Sequence, residues 1–295
     1  MIKPQFLNLV NSSFLLFLDN YLLTKTEAYT TGVSSRFYPE NQKKQGLYSY
    51  RSPYSNFNYD TSITNCPVIS GLYINNTFCL PGTSGFSGID YLNGRAWFSQ
   101  NLNGQAISGT FTVKDIGVLP LNISEEKLLF ETKFELRKPN SQSLTGLPPN
   151  SYTYPAIYVK GFGNQNKPFA FGGEDLSEIT MGLFFICDSA YMADGLKSVM
   201  ADMQNEVVPL LTVDKMPFSA LGTPKNTGDN INYDTLTSNY TTYNYSGLIV
   251  DEVTINSFKR EFNLDFQKIN PDTHIFIADI TLSKPRFPRN NKNNI

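Results

Sequence analysis

A chain of 295 residues with 40% in the hydrophobic set and 17% charged can bury a real core, and it is not a disordered polypeptide. Its 24 Lys+Arg against 26 Asp+Glu give a formal charge of -2, so no global field draws it to nucleic acid or to anionic lipid. The single histidine, His274, cannot supply a two-histidine metal site and is the one candidate base for a Ser-His or Cys-His couple; Cys66, Cys79 and Cys187 contain no CxxC and cannot all pair. Most hydrolase chemistry is therefore disfavoured at the outset.

Aromatic residues reach 14% and are interleaved with Asn, Ser, Thr and Gly, the composition of short strands punctuated by polar turns. The five N-x-S/T triplets, starting at Asn11, Asn75, Asn122, Asn239 and Asn244, are what so Asn-rich a chain yields by chance.

In chain order, the first element is an amphipathic helix over 13–24, with Asn11, Ser12 and Ser13 offering the cap and Phe14, Leu15, Leu18, Leu22 and Leu23 on one face. Its apolar run stops at Asp19 and no small-residue cleavage site follows, so neither a signal peptide nor a membrane span is expected. Residues 29–60 show no sustained period and read as an extended arm with short strands. Residues 67–118 read as a compact antiparallel β unit with turns at Asn93-Gly94 and Asn103-Gly104. Gly82, Gly85 and Gly88 form a turn there, since no Lys-Ser/Thr follows them as in a phosphate loop.

Residues 124–138 suit either a helix capped by Ser124 or, in their second half, a strand. Residues 154–159 read as a strand entered from Pro155. Ile179 to Cys187 is a near-continuous apolar strand, followed by an Asp188-Ser189 cap and a helix whose face runs through Tyr191, Leu196, Val199, Met200, Met203 and Val207 until Pro209. A polar loop over 224–246 precedes two strands, 248–258 and 274–282. The tail 284–295 carries four positive charges and no acid, and without it the remainder stands at -6.

Few of these residues assemble into chemistry. His274 would need Cys187 or a serine beside it, and no GxSxG elbow exists. Glu174-Asp175 beside glycines, and Asn230, Asn232 and Asp234, offer oxygen ligands without the pattern of a calcium loop. Glu125, Glu126, Glu131 and Glu135 interleave with Lys127, Lys133, Arg137 and Lys138 as a mixed-charge face does. The expectation is no catalytic residue, no metal and no cofactor. In the tail, Lys284, Arg286 and Arg289 with the apolar anchor Phe287 form a candidate docking segment, and Phe14 and Leu18 on the first helix are a second candidate interface.

The unit EITMGLFFICDSAYMADGLKSVMADMQNEVV, preceded by YPAIYV and followed by a strand pair ending in ADITLSK, resembles the core of tailed-phage tail terminator and related neck proteins, in which a sheet ends in an Asp-Ser cap and one helix packs across it. NSSFLLFLDNYLL and IDYLNGRAWFS are similar to segments of structural proteins of contractile-tailed phages. The resemblance covers roughly 120–283 and the first helix. It implies an α+β fold, mostly antiparallel, with an N-terminal helix and one long helix on the sheet. The implied division is an N-terminal helix and arm over 1–66, an inserted β unit over 67–118, a terminator-like core over 119–283 and a basic tail over 284–295. It further implies a non-enzymatic virion subunit, found in the host cytoplasm during assembly. Such a subunit forms a ring with itself, usually a hexamer in that family, and contacts other neck, tube or sheath proteins, with only passive proximity to DNA and no membrane. A baseplate or capsid-associated protein shares the composition. A glycan-binding β module is the reading from another class, with Trp97 and Tyr91 as its aromatic platform.

Overall fold

The computed structural model describes residues 5–44, 46–121, 155–169, 173–211, 230–242, 247–257 and 273–286. Among them the chain is α+β, built from a seven-stranded and a six-stranded sheet, and every strand pairing but one is antiparallel.

The N-terminal helix α1 (Phe6–Thr26) begins well before the expected Asn-Ser-Ser cap. The Gln5 N–H donates to Asn8 Oδ1 at 3.0 Å, which satisfies one donor of the entering chain. Ser13 lies inside the helix instead, where its buried Oγ accepts from the Leu211 N–H at 2.9 Å. A left-handed Glu27 ends the helix. By length and composition α1 could cross a membrane, yet 72% of its most apolar window is buried within the protein.

The first sheet comprises β1 (Tyr29–Lys44), β2 (Leu47–Arg51), β3 (Leu72–Ile74), β4 (Thr77–Cys79), β5 (Phe86–Asp90), β6 (Arg95–Phe98) and β7 (Ile107–Lys114), in the order β4-β3-β7-β1-β2-β6-β5. The Asn93-Gly94 turn closes the β5–β6 hairpin as expected. The Asn103-Gly104 turn leads instead from β6 to a strand three places away, so it closes no hairpin. A hairpin the sequence reading passed over joins β3 to β4 through Asn75 and Asn76, both at positive φ (48° and 67°), the mirror turn that matches strand twist.

The expected arm over 29–60 is corrected here: β1 and β2 occupy the middle of this sheet, bonded on both sides. The strands within 67–118 share this one sheet with β1 and β2.

The second sheet takes β8 (Gly117–Pro120), β9 (Ala156–Pro168), β10 (Asp175–Cys187), β11 (Val207–Pro209), β12 (Gly247–Ser257) and β13 (His274–Arg286), in the order β11-β12-β13-β10-β9-β8. β8 and β9 pair in parallel. The ambiguous segment 124–138, which follows β8 in sequence, lies outside the described residues. Alternate residues of β10, Ile179, Met181, Leu183, Phe185 and Cys187, point to one face, where they meet α1 and α2 (Ala190–Ala201) in the larger core. The Phe185 and Phe276 rings, directly opposite in register, stack at 4.1 Å.

Helix α2 is capped as read, with Ser189 Oγ accepting from the Met192 N–H at 3.2 Å. It ends at Asp202, well short of Pro209, and its inward face is Ala193, Leu196 and Met200, continued by Met203; Tyr191 and Val207 face out. The loop expected over 224–246 contains α3 (Tyr233–Thr242).

Candidate functional site

Two of the predicted interface residues are core residues. Phe14 and Leu18 are 0% exposed and pack with α2 and the second sheet in the larger core, so in the folded chain neither is available to a partner. The apolar face that made them a candidate interface is the stripe that covers the chain's own sheet.

The basic tail is corrected in its first three residues. Lys284, Pro285 and Arg286 continue β13 and pair with Ser177, Leu176 and Asp175 of β10. Arg286 donates to Ser177 Oγ, and its guanidinium lies 3.8 Å from the centre of the Phe6 ring. Burial, then the neighbouring Arg286 charge, lowers the Lys284 ammonium pKa. These cations are held within the chain. Phe287 and Arg289 lie outside the described residues.

His274 and Cys187 are backbone partners across β13 and β10. They are directly opposite in register at one end of the second sheet, which puts both side chains on the helix-covered face. Burial, assisted by Asp188, pushes the Cys187 thiol up to about 12, so at neutral pH it is a protonated core group and not a thiolate nucleophile. Asp279 accepts from Asn256 Nδ2 across the exposed face of β12 and β13, and Asn232 accepts from the Thr235 N–H in the first turn of α3. No cluster of three or more metal-ligating side chains occurs among the described residues. Glu125, Glu126, Glu131 and Glu135 lie outside them.

The glycan platform is also corrected. Trp97 is 3% exposed, and Tyr91 packs partly buried between the two cores with its ring edge-on to Tyr59. Beside Trp97, on the same face, a compact polar set surrounds Glu40. Arg95 Nε and Ser49 Oγ both donate to its Oε2, at 2.8 and 2.7 Å, and Arg51 lies 3.7 Å from its Oε1. Glu40 is thereby satisfied across β1, β2 and β6, while the buried Arg51 Nε has no hydrogen-bond partner among the described residues.

Among the exposed apolar side chains, two cross-strand pairs fall in the strand pairs at one open edge of each sheet, whereas the most exposed, Tyr191, lies on α2. On the β3–β4 hairpin, Tyr73 and Phe78 are opposite in register, 44% and 48% exposed, with ring centres 5.2 Å apart. On the β11–β12 pair, Val207 and Ile249 are opposite in register, 55% and 45% exposed. The first pair was readable from sequence once Asn75-Asn76 is recognised as a turn. The second joins residues far apart in the chain and had no local signal.

A buried polar junction ties α1 to the first sheet. Lys114 Nζ, at the end of β7, donates to both carboxylate oxygens of Asp19 at 2.7 and 3.0 Å, and lies 4.3 Å from the centre of the Tyr59 ring. The Tyr59 hydroxyl also bonds to Asp19; its pKa is raised by burial above all, then by that carboxylate. Next to it, Asp60 accepts from Asn20 Nδ2, the Ser62 N–H and the Tyr233 N–H, fixing the start of α3. No family model, no curated protein and no solved structure matches this chain.

Proposed function

We propose that the chain is a non-enzymatic structural subunit of a tailed-phage virion, a ring-forming neck or tail terminator protein. In this reading the six-stranded sheet with α1 and α2 is the terminator-like core, and the seven-stranded sheet is an elaboration that meets a neighbouring virion protein. The observation that carries it is the placement of exposed apolar pairs, Tyr73 with Phe78 and Val207 with Ile249, on the edge strand pairs of both sheets. Soluble proteins generally blunt sheet edges with charge or proline; apolar residues kept at an edge mark a contact surface. Two such edges on one chain suit a subunit with a neighbour on each side, as a closed ring requires.

The test is the native mass and negative-stain image of the full chain, together with its presence in tailed particles purified on a density gradient. Closed rings of one discrete copy number, and a matching copy number per particle, are expected. A chain that stays monomeric at every concentration and is absent from particles overturns the proposal.

A further inference from the structure

The geometry points to an intramolecular amide between Lys114 Nζ and Asp19 Cγ, a covalent cross-link that the chain forms on itself between β7 and α1. The inference is independent of the proposed role in a virion. Lys114 and Asp19 stand 95 residues apart in sequence, and their side chains are 4% and 5% exposed. Nζ sits within 2.7 and 3.0 Å of the two carboxylate oxygens, so the nucleophile and the carbon it would attack are held together at high effective concentration. Bulk water, which in an exposed pair would keep both groups ionised and hydrolyse an activated carbonyl, has little access. An ion pair so enclosed carries a desolvation cost that a neutral amide does not.

The reaction balances without a cofactor or an oxidant. A proton passes from Lys114 Nζ to one carboxylate oxygen of Asp19, leaving an amine and a carboxylic acid. Rotation about the Asp19 Cβ–Cγ bond presents the carbonyl face, and the nitrogen lone pair adds to Cγ as the C=O π pair moves onto oxygen. The Tyr59 hydroxyl, already bonded to this carboxylate, donates to the oxyanion that forms. A second Nζ proton goes to the hydroxyl group, which leaves as water while the oxyanion pair restores the C=O bond. One C–N bond forms, one C–O bond breaks, and one water is released.

The experiment is the intact mass of the denatured full chain, measured beside a Lys114→Arg variant prepared identically. The variant keeps the charge but offers a guanidinium, which is no nucleophile. After allowance for the substitution, the parent is expected to be lighter than the variant by one water, and digestion should release one branched peptide containing both 19 and 114. Loss of water with unbranched peptides would be dehydration elsewhere and would overturn the inference. Equal corrected masses, with the peptide around 114 recovered unlinked, would do so directly.

Discussion

Gly94 shows how much one missing side chain can matter. It sits at φ +63° in the β5–β6 turn, and a Cβ built there would lie 1.9 Å from the Tyr54 carbonyl oxygen, a backbone atom that cannot swing aside. Gly94→Ala therefore adds a collision to an unfavourable backbone conformation, and a loss of about 2 to 4 kcal/mol is expected in urea unfolding. Gly182 makes the contrasting case: its missing Cβ is overlain by the end of the half-exposed Phe162 ring, which can turn away, so Gly182→Ala should cost clearly less. The thiols give the residue scale its pH dependence. Burial pushes both Cys66 and Cys187 up to about 12. Between about pH 9 and 12 the folded chain then holds protons that the unfolded chain has released, so stability falls as pH rises through that window and is unaffected by these groups below it. Urea midpoints across that range should decline for the parent and decline less for a Cys66→Ala, Cys187→Ala variant; parallel curves would refute the assignment.

At the scale of elements, β10, its Ser189 cap and α2 were legible because each carries its own local signal. An apolar run marks the strand, a serine oxygen meets the first free N–H, and apolar side chains recur at three and four. Ser189→Ala should lower stability by about 0.5 to 2 kcal/mol, read as a shifted urea midpoint at unchanged slope. Strand β1 was illegible for an equally physical reason. From Tyr29 to Glu40 only Phe37 is buried, and the outward positions Ser34 and Arg36 and the turn-forming Gly32 give no apolar alternation. What places β1 mid-sheet is hydrogen bonding to β7 on one side and β2 on the other, pairings that depend on residues up to about 85 positions away. The inner half of the candidate interface failed similarly. Phe14 and Leu18 were correctly read as one helix face, but a sequence does not say whether such a face meets its own sheet or another chain's.

For the whole molecule, the junction at Asp19 and Lys114 makes the two sheets one body: α1 is packed on the six-stranded sheet, and its C-terminal half is fastened to the last strand of the seven-stranded one. Excising 67–118 would remove β3 to β7 and Lys114 with them, and truncation after Ser283 would strip Arg286 from Phe6 and Ser177. Association must therefore be probed by substitutions that leave this body intact. Phe78→Lys and Ile249→Lys change side chains about half exposed in the edge strand pairs of the two different sheets, so each should leave folding within about 0.5 kcal/mol of the parent. If the edges are where copies or neighbours meet, each places a desolvated charge in a contact, and rings should open or fail to form while the monomer's circular dichroism is unchanged. Tyr191→Lys is the control, because Tyr191 is almost fully exposed on α2 and belongs to neither strand pair. Apolar contacts are not screened, so parental rings should survive added salt, whereas docking through a basic tail would weaken with it. Rings that tolerate both edge substitutions and dissolve in salt would move the contact from the sheet edges to charged surface elsewhere on the chain.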